Sequence, residues 1–193
     1  VIYSCMSAAL RLEDTVPEAD FWHTYGIPDG TRIAIFQGSM TALRNLDNLA
    51  RATRYLEDDC RLVVVGGGDY QEKFLHTLEK EGNPERVVMV GWVNQSELLR
   101  FTVNADLGVL PYSAVDEYYS YAVPNKLMEY FEATLPMLYD VSMKEVSMVA
   151  GEHGVGVGED LSDPVKFGQT LNRLLHDEEQ LSAMKKQYEG CRN

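Results

Sequence analysis

Long apolar runs are missing from this 193-residue chain. Nowhere do about 18 uncharged hydrophobic residues stand together, so a membrane-spanning helix of ordinary length is excluded. No basic segment followed by an apolar block opens the sequence, so no secretory signal is visible. Cysteine is scarce: Cys5, Cys60 and Cys191 are odd in number, far apart, and none forms a C-x-x-C pair. That spacing points to neither a disulfide framework nor a zinc site. The four histidines, His23, His76, His153 and His176, are equally scattered, and no metal ligand set is predicted. Positive charge is in deficit, 17 Lys and Arg against 30 Asp and Glu, for a formal net charge of -13. Nucleic acids and anionic membranes require a basic footprint that this composition does not supply. An anionic ligand must therefore be small and held by local groups. These absences together fit a soluble, cytoplasmic chain. Position 1 is Val rather than Met, which leaves room for a partner domain outside this sequence.

What the chain does have is a 45% hydrophobic content, enough at this length for one sizeable core and too little for two. Short β-branched runs recur: "RIAIF" (32 to 36), "RLVVV" (61 to 65), the core of "RVVMV" (87 to 90), "DLGVL" (106 to 110), "PMLYD" (136 to 140) and "GVGVG" (154 to 158). Each is predicted to be a buried strand. Between them lie helical stripes: Leu46, Leu49, Ala50, Thr53 and Leu56, then Phe74, Leu75 and Leu78, then Leu98, Leu99 and Val103 behind a predicted Ser96 N-cap. Two more amphipathic patterns close the chain. Alternating strand and helix over some 150 residues predicts a doubly wound α/β domain, a parallel sheet covered by helices on both faces. Residues 1 to about 30, with Pro17, Gly26, Pro28 and Gly30, lack this rhythm and are expected to form a linker or arm with one short helix, leaving 31–193 as the domain.

In an open parallel sheet, ligands sit beyond the carboxyl ends of the strands, so the segments after each strand are the places to inspect. After the first comes "QGSMTALRNLDNL", where Gly38 and Ser39 allow a tight turn and Arg44 stands at a predicted helix start. Small residues, free N–H groups and a guanidinium suit a phosphate, although a plain turn with a solvated Arg44 has the same sequence. "VVVGGGDYQEKF" misses the G-x-G-x-x-G dinucleotide fingerprint because Gln71 takes the third glycine's place. It supports instead a close backbone approach, to a ligand or to a neighbouring helix. "VGWVNQSELLRF" offers Trp92, either a wall for a nucleobase or core filling. "YYSYAVPNKLMEY" (118 to 130) begins a helix at Pro124, preorganised for a first turn, with Asn125 capping or inside that turn. Lys126 and Glu129 are three apart on one face. They form either a surface ion pair, or a phosphate contact and a carboxylate that accepts hydrogen bonds from two sugar hydroxyls.

Taken in order, "FQGSMTALRNLDNLARA", "LVVVGGGDYQEKF", "VVMVGWVNQSELLRF", "ADLGVLPYS", "YAVPNKLMEYFEATLPML" and "HGVGVGEDLSDPVKFGQTLNRLLHDEEQL" resemble the C-terminal half of GT-B glycosyltransferases, in particular the retaining family 4 group. The resemblance covers roughly residues 30 to 185. It implies a Rossmann-like half that binds a nucleotide-diphosphate-sugar donor, transferring a hexose-type sugar to a glycan or lipid-linked acceptor in polysaccharide biosynthesis. The acceptor would be held by an N-terminal half outside this chain, with residues 1 to about 16 as the crossover. The resemblance implies that Arg44 acts on the donor diphosphate, matching a basic residue that usually precedes a Gly, here Asn45; Lys126 is expected to replace in part the charge of a second basic residue, whose place Ser39 takes. It implies that Glu129, the second glutamate of an E-x7-E motif, holds the ribose, and that Gly38, Ser39, Trp92, Tyr121, Ala122 and Asn125 line the substrate. Tyr121 stands where the first glutamate should be, and Ser39 where a second basic residue should be. No cofactor or metal is implied. The full-length protein is expected at the inner membrane face, and this chain is expected to dimerise through the face its missing half would cover. A nucleotide-sugar epimerase of the same fold, or a degenerate module that binds a partner protein, are the competing readings.

Overall fold

The computed structural model describes residues 16–113 and 117–191; the crossover expected in residues 1 to about 16 lies almost entirely outside them. All six predicted runs are strands: β1 (Arg32–Gln37), β2 (Cys60–Val65), β3 (Val87–Gly91), β4 (Leu107–Leu110), β5 (Met137–Asp140) and β6 (Gly156–Glu159). Every pairing is parallel, and the spatial order is β3-β2-β1-β4-β5-β6. β1, β2, β4 and β5 are buried almost throughout, which is why they read as unbroken apolar runs rather than alternating ones.

Between the strands run α1 (Leu46–Ala52), α2 (Gln71–Glu81), α3 (Gln95–Val103), α4 (Glu117–Ser120), α5 (Asn125–Glu132) and α6 (Lys144–Glu152), and after β6 come α7 (Pro164–His176) and α8 (Glu178–Cys191). Right-handed crossovers put a helix on one face when the chain steps in one direction across the sheet, and on the other face when it steps back. The steps β1 to β2 to β3 place α1 and α2 together. The return to β4 places α3 with α5 on the opposite side. α7 then comes back to pack on α1. The helical stripe predicted from Leu46 breaks after α1 into a 3-10 turn, Thr53–Tyr55.

Residues 16–30 contain a short 3-10 helix, Phe21–Tyr25. Phe21 and Ile27 are buried, and the rings of Phe21 and Phe101 meet edge to face at 5.1 Å.

The chain reverses direction between β1 and β4, and these two strands share only the pairs Ala34↔Leu107 and Ile35↔Gly108 before they diverge. Tyr130 of α5 fills the gap. Its buried hydroxyl donates to the Ile35 carbonyl at 3.1 Å, with the Val109 carbonyl 3.4 Å away. Burial pushes the phenol well above its ordinary pKa, so it remains a donor. The opening above that plug, at the carboxyl ends of β1 and β4, is where a doubly wound sheet forms its crevice.

Candidate functional site

The loops after β1, β2 and β3 are stitched side by side. Gly38 N–H donates to the Val65 carbonyl, Met40 N–H to Gly67, Tyr70 N–H to Met40 and Gly66 N–H to Gly91. A Cβ on Gly66 would collide with the Gly38 carbonyl, and one on Gly68 with the Met40 carbonyl. The glycine run therefore serves contact between two loops. The sequence had left open a ligand or a helix; the close approach of Gly66 and Gly68 is to the loop after β1, and Gly67 faces the Gln71 side chain of α2 and Trp92.

Beside this platform α5 begins. Pro124 has extended backbone (φ -70°, ψ 142°) and flanks the helix rather than entering its first turn; Asn125 is the first helical residue and its side chain makes no cap. Leu127 N–H bonds the Pro124 carbonyl. The N–H groups of Asn125 and Lys126 find no acceptor among the described residues, so two donors face outward from the positive end of the helix.

Lys126 and Glu129 diverge. Lys126 lies across Gly38, where a Cβ would overlap its Cε and stand 2.6 Å from its Nζ. Glu129 Oε2 accepts from Gln37 Nε2. Gln37 is fully buried and its own carbonyl accepts from Thr102 Oγ1 at 2.9 Å. The surface ion pair entertained from sequence does not form among the described residues. Glu129 is pinned on one oxygen at the mouth of a narrow crevice shared with Glu132. Burial and the neighbouring Glu129 carboxylate push Glu132 above its ordinary pKa.

Arg44 is not at a helix start. It ends a 3-10 turn, Ala42–Arg44, and Asn45 follows with left-handed backbone (φ 52°, ψ 33°) before α1 begins. Asn tolerates that region better than other side-chain-bearing residues, and its Nδ2 donates to the Leu161 carbonyl at 3.1 Å. The kink aims the guanidinium at Tyr112, with Cζ 4.1 Å from the ring centre. Arg44 Nε is buried and has no hydrogen-bond partner among the described residues. Burial pushes the Tyr112 phenol up to about 12, so the ring is a neutral platform that holds the cation without neutralising it.

Arg44, Tyr112 and the start of α5 line a cleft of about 380 Å³, and Gly38 is not among its lining residues. Arg44 and Lys126 carry charge among its described lining residues, none of which is acidic. Ala122 and Asn125 also line it, whereas Ser39, Trp92, Tyr121 and Glu129 do not. Trp92 is 67% exposed, which removes the core-filling alternative, and its indole Nε1 hangs over Gly67. Tyr121 is 55% exposed, and the Lys144 ammonium stands 5.1 Å from its ring centre. Gln37, Thr102 and Tyr112 were missed in the sequence. The available signal was a lone polar residue closing an apolar strand, and an aromatic directly after "GVLP".

A crevice at the switch point of a doubly wound parallel sheet, with Arg44 and Lys126 among its lining residues, defines the class of fold and the place to look for a ligand. The glycosyl transferases group 1 family model matches residues 21–189, and the chain belongs to that family. Over 94 residues it is 29% identical to the uncharacterized glycosyltransferase MJ1607 of Methanocaldococcus jannaschii, covering 48% of this chain and 24% of that protein. The solved structure of WaaG, a glycosyltransferase involved in lipopolysaccharide biosynthesis, matches with a TM-score of 0.73 and 19% identity over 92% of this chain and 47% of that one. Anabaena Alr3699/HepE in complex with UDP-glucose matches with a TM-score of 0.72 and 13% identity over 90% of this chain and 46% of that one. The chain thus spans less than half the length of these proteins. The fold is that of one GT-B glycosyltransferase domain. No helix among the described residues is long and apolar enough to cross a membrane.

Proposed function

We propose that this chain is the donor-binding half of a retaining glycosyltransferase of the polysaccharide-building kind, and that the cleft holds the diphosphate of a nucleotide-sugar. The observation that carries this reading is the cleft's charge. In a chain of net charge -13, the described residues that line the cleft include two cations and no carboxylate. Breaking the bond between the anomeric carbon and the phosphate oxygen builds negative charge on the diphosphate. Arg44, Lys126 and the amides of Asn125 and Lys126 would then bind the transition state more strongly than the ground state. One such preorganised donor is typically worth about 3 kcal/mol. These groups neutralise the leaving group without help, so donor binding is proposed to be metal-independent.

A nucleotide-sugar is linear: base, ribose, diphosphate, sugar. Laid across the sheet with its diphosphate above β1, it would put the ribose by Glu129 and the base toward Trp92 after β3. The hexose would then lie toward Tyr121 and Ala122. The acceptor, a glycan or lipid-linked glycan, would be brought by an N-terminal half, at the cytoplasmic side of a membrane. HepE, whose solved structure contains UDP-glucose, is consistent with a uridine nucleotide.

Titration calorimetry in EDTA with UDP, GDP and their sugar derivatives tests the reading. R44A is expected to weaken diphosphate binding by roughly ten- to a hundredfold, the scale of one charge-assisted hydrogen bond. E129A should weaken nucleotides but not inorganic pyrophosphate. Unchanged affinity in both variants would remove these assignments.

A further inference from the structure

A second constellation lies at the opposite, amino-terminal edge of the sheet. Asp59 immediately precedes β2, Cys60 opens it, and His176 closes α7. Each offers one potential ligand atom, and these atoms all lie within 4.8 Å of one another. We propose that Asp59, Cys60 and His176, with Glu57 as a fourth ligand, form a structural zinc site that ties the start of β2 to the end of α7.

Three observations support it. The first is spacing. Cys60 Sγ is 3.6 Å from Asp59 Oδ1, His176 Nε2 is 3.1 Å from Asp59 Oδ2, and His176 Nε2 is 3.8 Å from Glu57 Oε2. A tetrahedral zinc shell with bonds of about 2.0–2.3 Å has ligand-to-ligand edges of about 3.3–3.8 Å; these contacts are of that order, with the thiol beside one Asp59 oxygen and the imidazole beside the other, so the carboxylate must turn to offer both the same ion. The second is the histidine tautomer. His176 Nδ1 is 2.8 Å from the Asn172 carbonyl, which can only accept, so Nδ1 carries a hydrogen. Nε2 is then the nitrogen turned to the carboxylates. A ring N–H anchored on a carbonyl is the usual support for a metal-bound imidazole. The third is donor chemistry. A thiol, an imidazole and carboxylates suit zinc, whereas magnesium and calcium take oxygen alone.

Arg32 is the group that opposes a cation here, with Nε 3.6 Å from Asp59 Oδ2. Its two terminal nitrogens are directed to the Leu175 carbonyl and the Glu178 carboxylate, so a further carboxylate offsets its charge. At rest the thiol is protonated, pushed up to about 12 by burial and by Asp59. His176 Nε2 also carries a hydrogen at rest, donated to the Asp59 carboxylate, so zinc binding would release two protons to solvent, one from the thiol as the Zn–S bond forms and one from Nε2 as the Zn–N bond forms.

Cobalt(II) is the probe, added to the chelator-stripped chain after removal of any affinity tag. One equivalent should bind with a thiolate-to-cobalt charge-transfer band and the strong visible absorption of a tetrahedral site, and zinc should displace it. C60S should abolish the charge-transfer band. H176Q, at a partly exposed surface position, should weaken binding at least tenfold with the fold intact by circular dichroism. Replacing Cys5 and Cys191 by serine should leave the band in place. Zinc at a fixed concentration well above the parent's Kd should raise the Tm of the parent chain by several degrees and that of H176Q by less. Absence of a thiolate band, its survival in C60S, or unchanged affinity in H176Q would each overturn the site.

Discussion

Gly38 combines two demands that usually fall on different residues. Its φ is 115°, a region side-chain-bearing residues rarely enter, and a Cβ there would overlap the aliphatic stem of Lys126. G38A is therefore expected to lose about 1–3 kcal/mol of stability from backbone strain. Nucleoside-diphosphate affinity should fall with it, by as much as in K126A, because the ammonium is pushed off the loop. Urea unfolding and calorimetry on both variants separate the two effects; full binding by G38A despite lost stability would show that Lys126 does not contact the ligand from its present place. Arg44, Lys126 and Glu129, whose side chains suggest phosphate and sugar contacts, were singled out in the sequence, and Arg44 and Lys126 line the cleft. Their supports were not legible there. Gln37 reaches Glu129 across a sequence separation of 92, and Thr102 reaches Gln37 across 65. Such pairs meet only because β1 is central in the sheet while α3 and α5 cover one face, a fact of topology that spacing along the chain does not contain. The same applies to His176 and Asp59, 117 residues apart, which is why scattered histidines looked inert.

Among the elements, α1 has seven residues, too few to be stable alone, and it depends on its neighbours. Asp47 ties it to α2: Tyr70 Oη donates to its carboxylate at 2.8 Å, and Lys73 Nζ stands 3.0 Å away. Burial alone would raise the Asp47 pKa, but the hydrogen bonds from Lys73 and Tyr70 outweigh it and the net shift is downward from 3.8. A carboxyl held below its unfolded value contributes stability above that value, and loses it as pH falls through the folded one. D47N should therefore be less stable than the parent at pH 7, by about 1 kcal/mol after discounting the exposed Lys73 partner. The difference should shrink as pH drops below about 4 and vanish in stronger acid. Urea midpoints measured across that range check it, and a gap independent of pH would assign the loss to packing instead. Strand and helix order was readable because strands buried on both faces cannot alternate. Helix starts were read less well, since they rest on single hydrogen bonds. α3 is capped by Asn94, whose side chain accepts from Glu97 N–H at 2.9 Å while Glu97 reaches back to Asn94 N–H. Ser96 lies inside the helix and donates to Asn94 Oδ1. The N-x-x-E capping box was present in the sequence, but the serine nearest the apolar stripe drew the assignment.

For the whole molecule, the tension is between a net charge of -13 and a cleft whose described lining charges, Arg44 and Lys126, are positive. The two fields act over different distances. A diphosphate approaching through dilute salt meets the charge of the entire chain, because the screening length is about 30 Å at 0.01 M. At physiological salt it shrinks to about 8 Å, and the ligand then senses little beyond Arg44, Lys126 and the α5 amides. Added salt should first remove the long-range repulsion, raising the association rate. Only at higher concentrations should it erode the direct contacts, raising the dissociation rate. Affinity for a nucleoside diphosphate is thus expected to pass through a maximum as ionic strength increases. A monotonic decline from the lowest salt would mean that the cleft's own potential dominates at all distances. Calorimetry across a sodium chloride series, with stopped-flow rates at its ends, distinguishes these cases. R44A should keep the rising limb, which belongs to the whole chain, and lose part of the falling one, which belongs to the cleft.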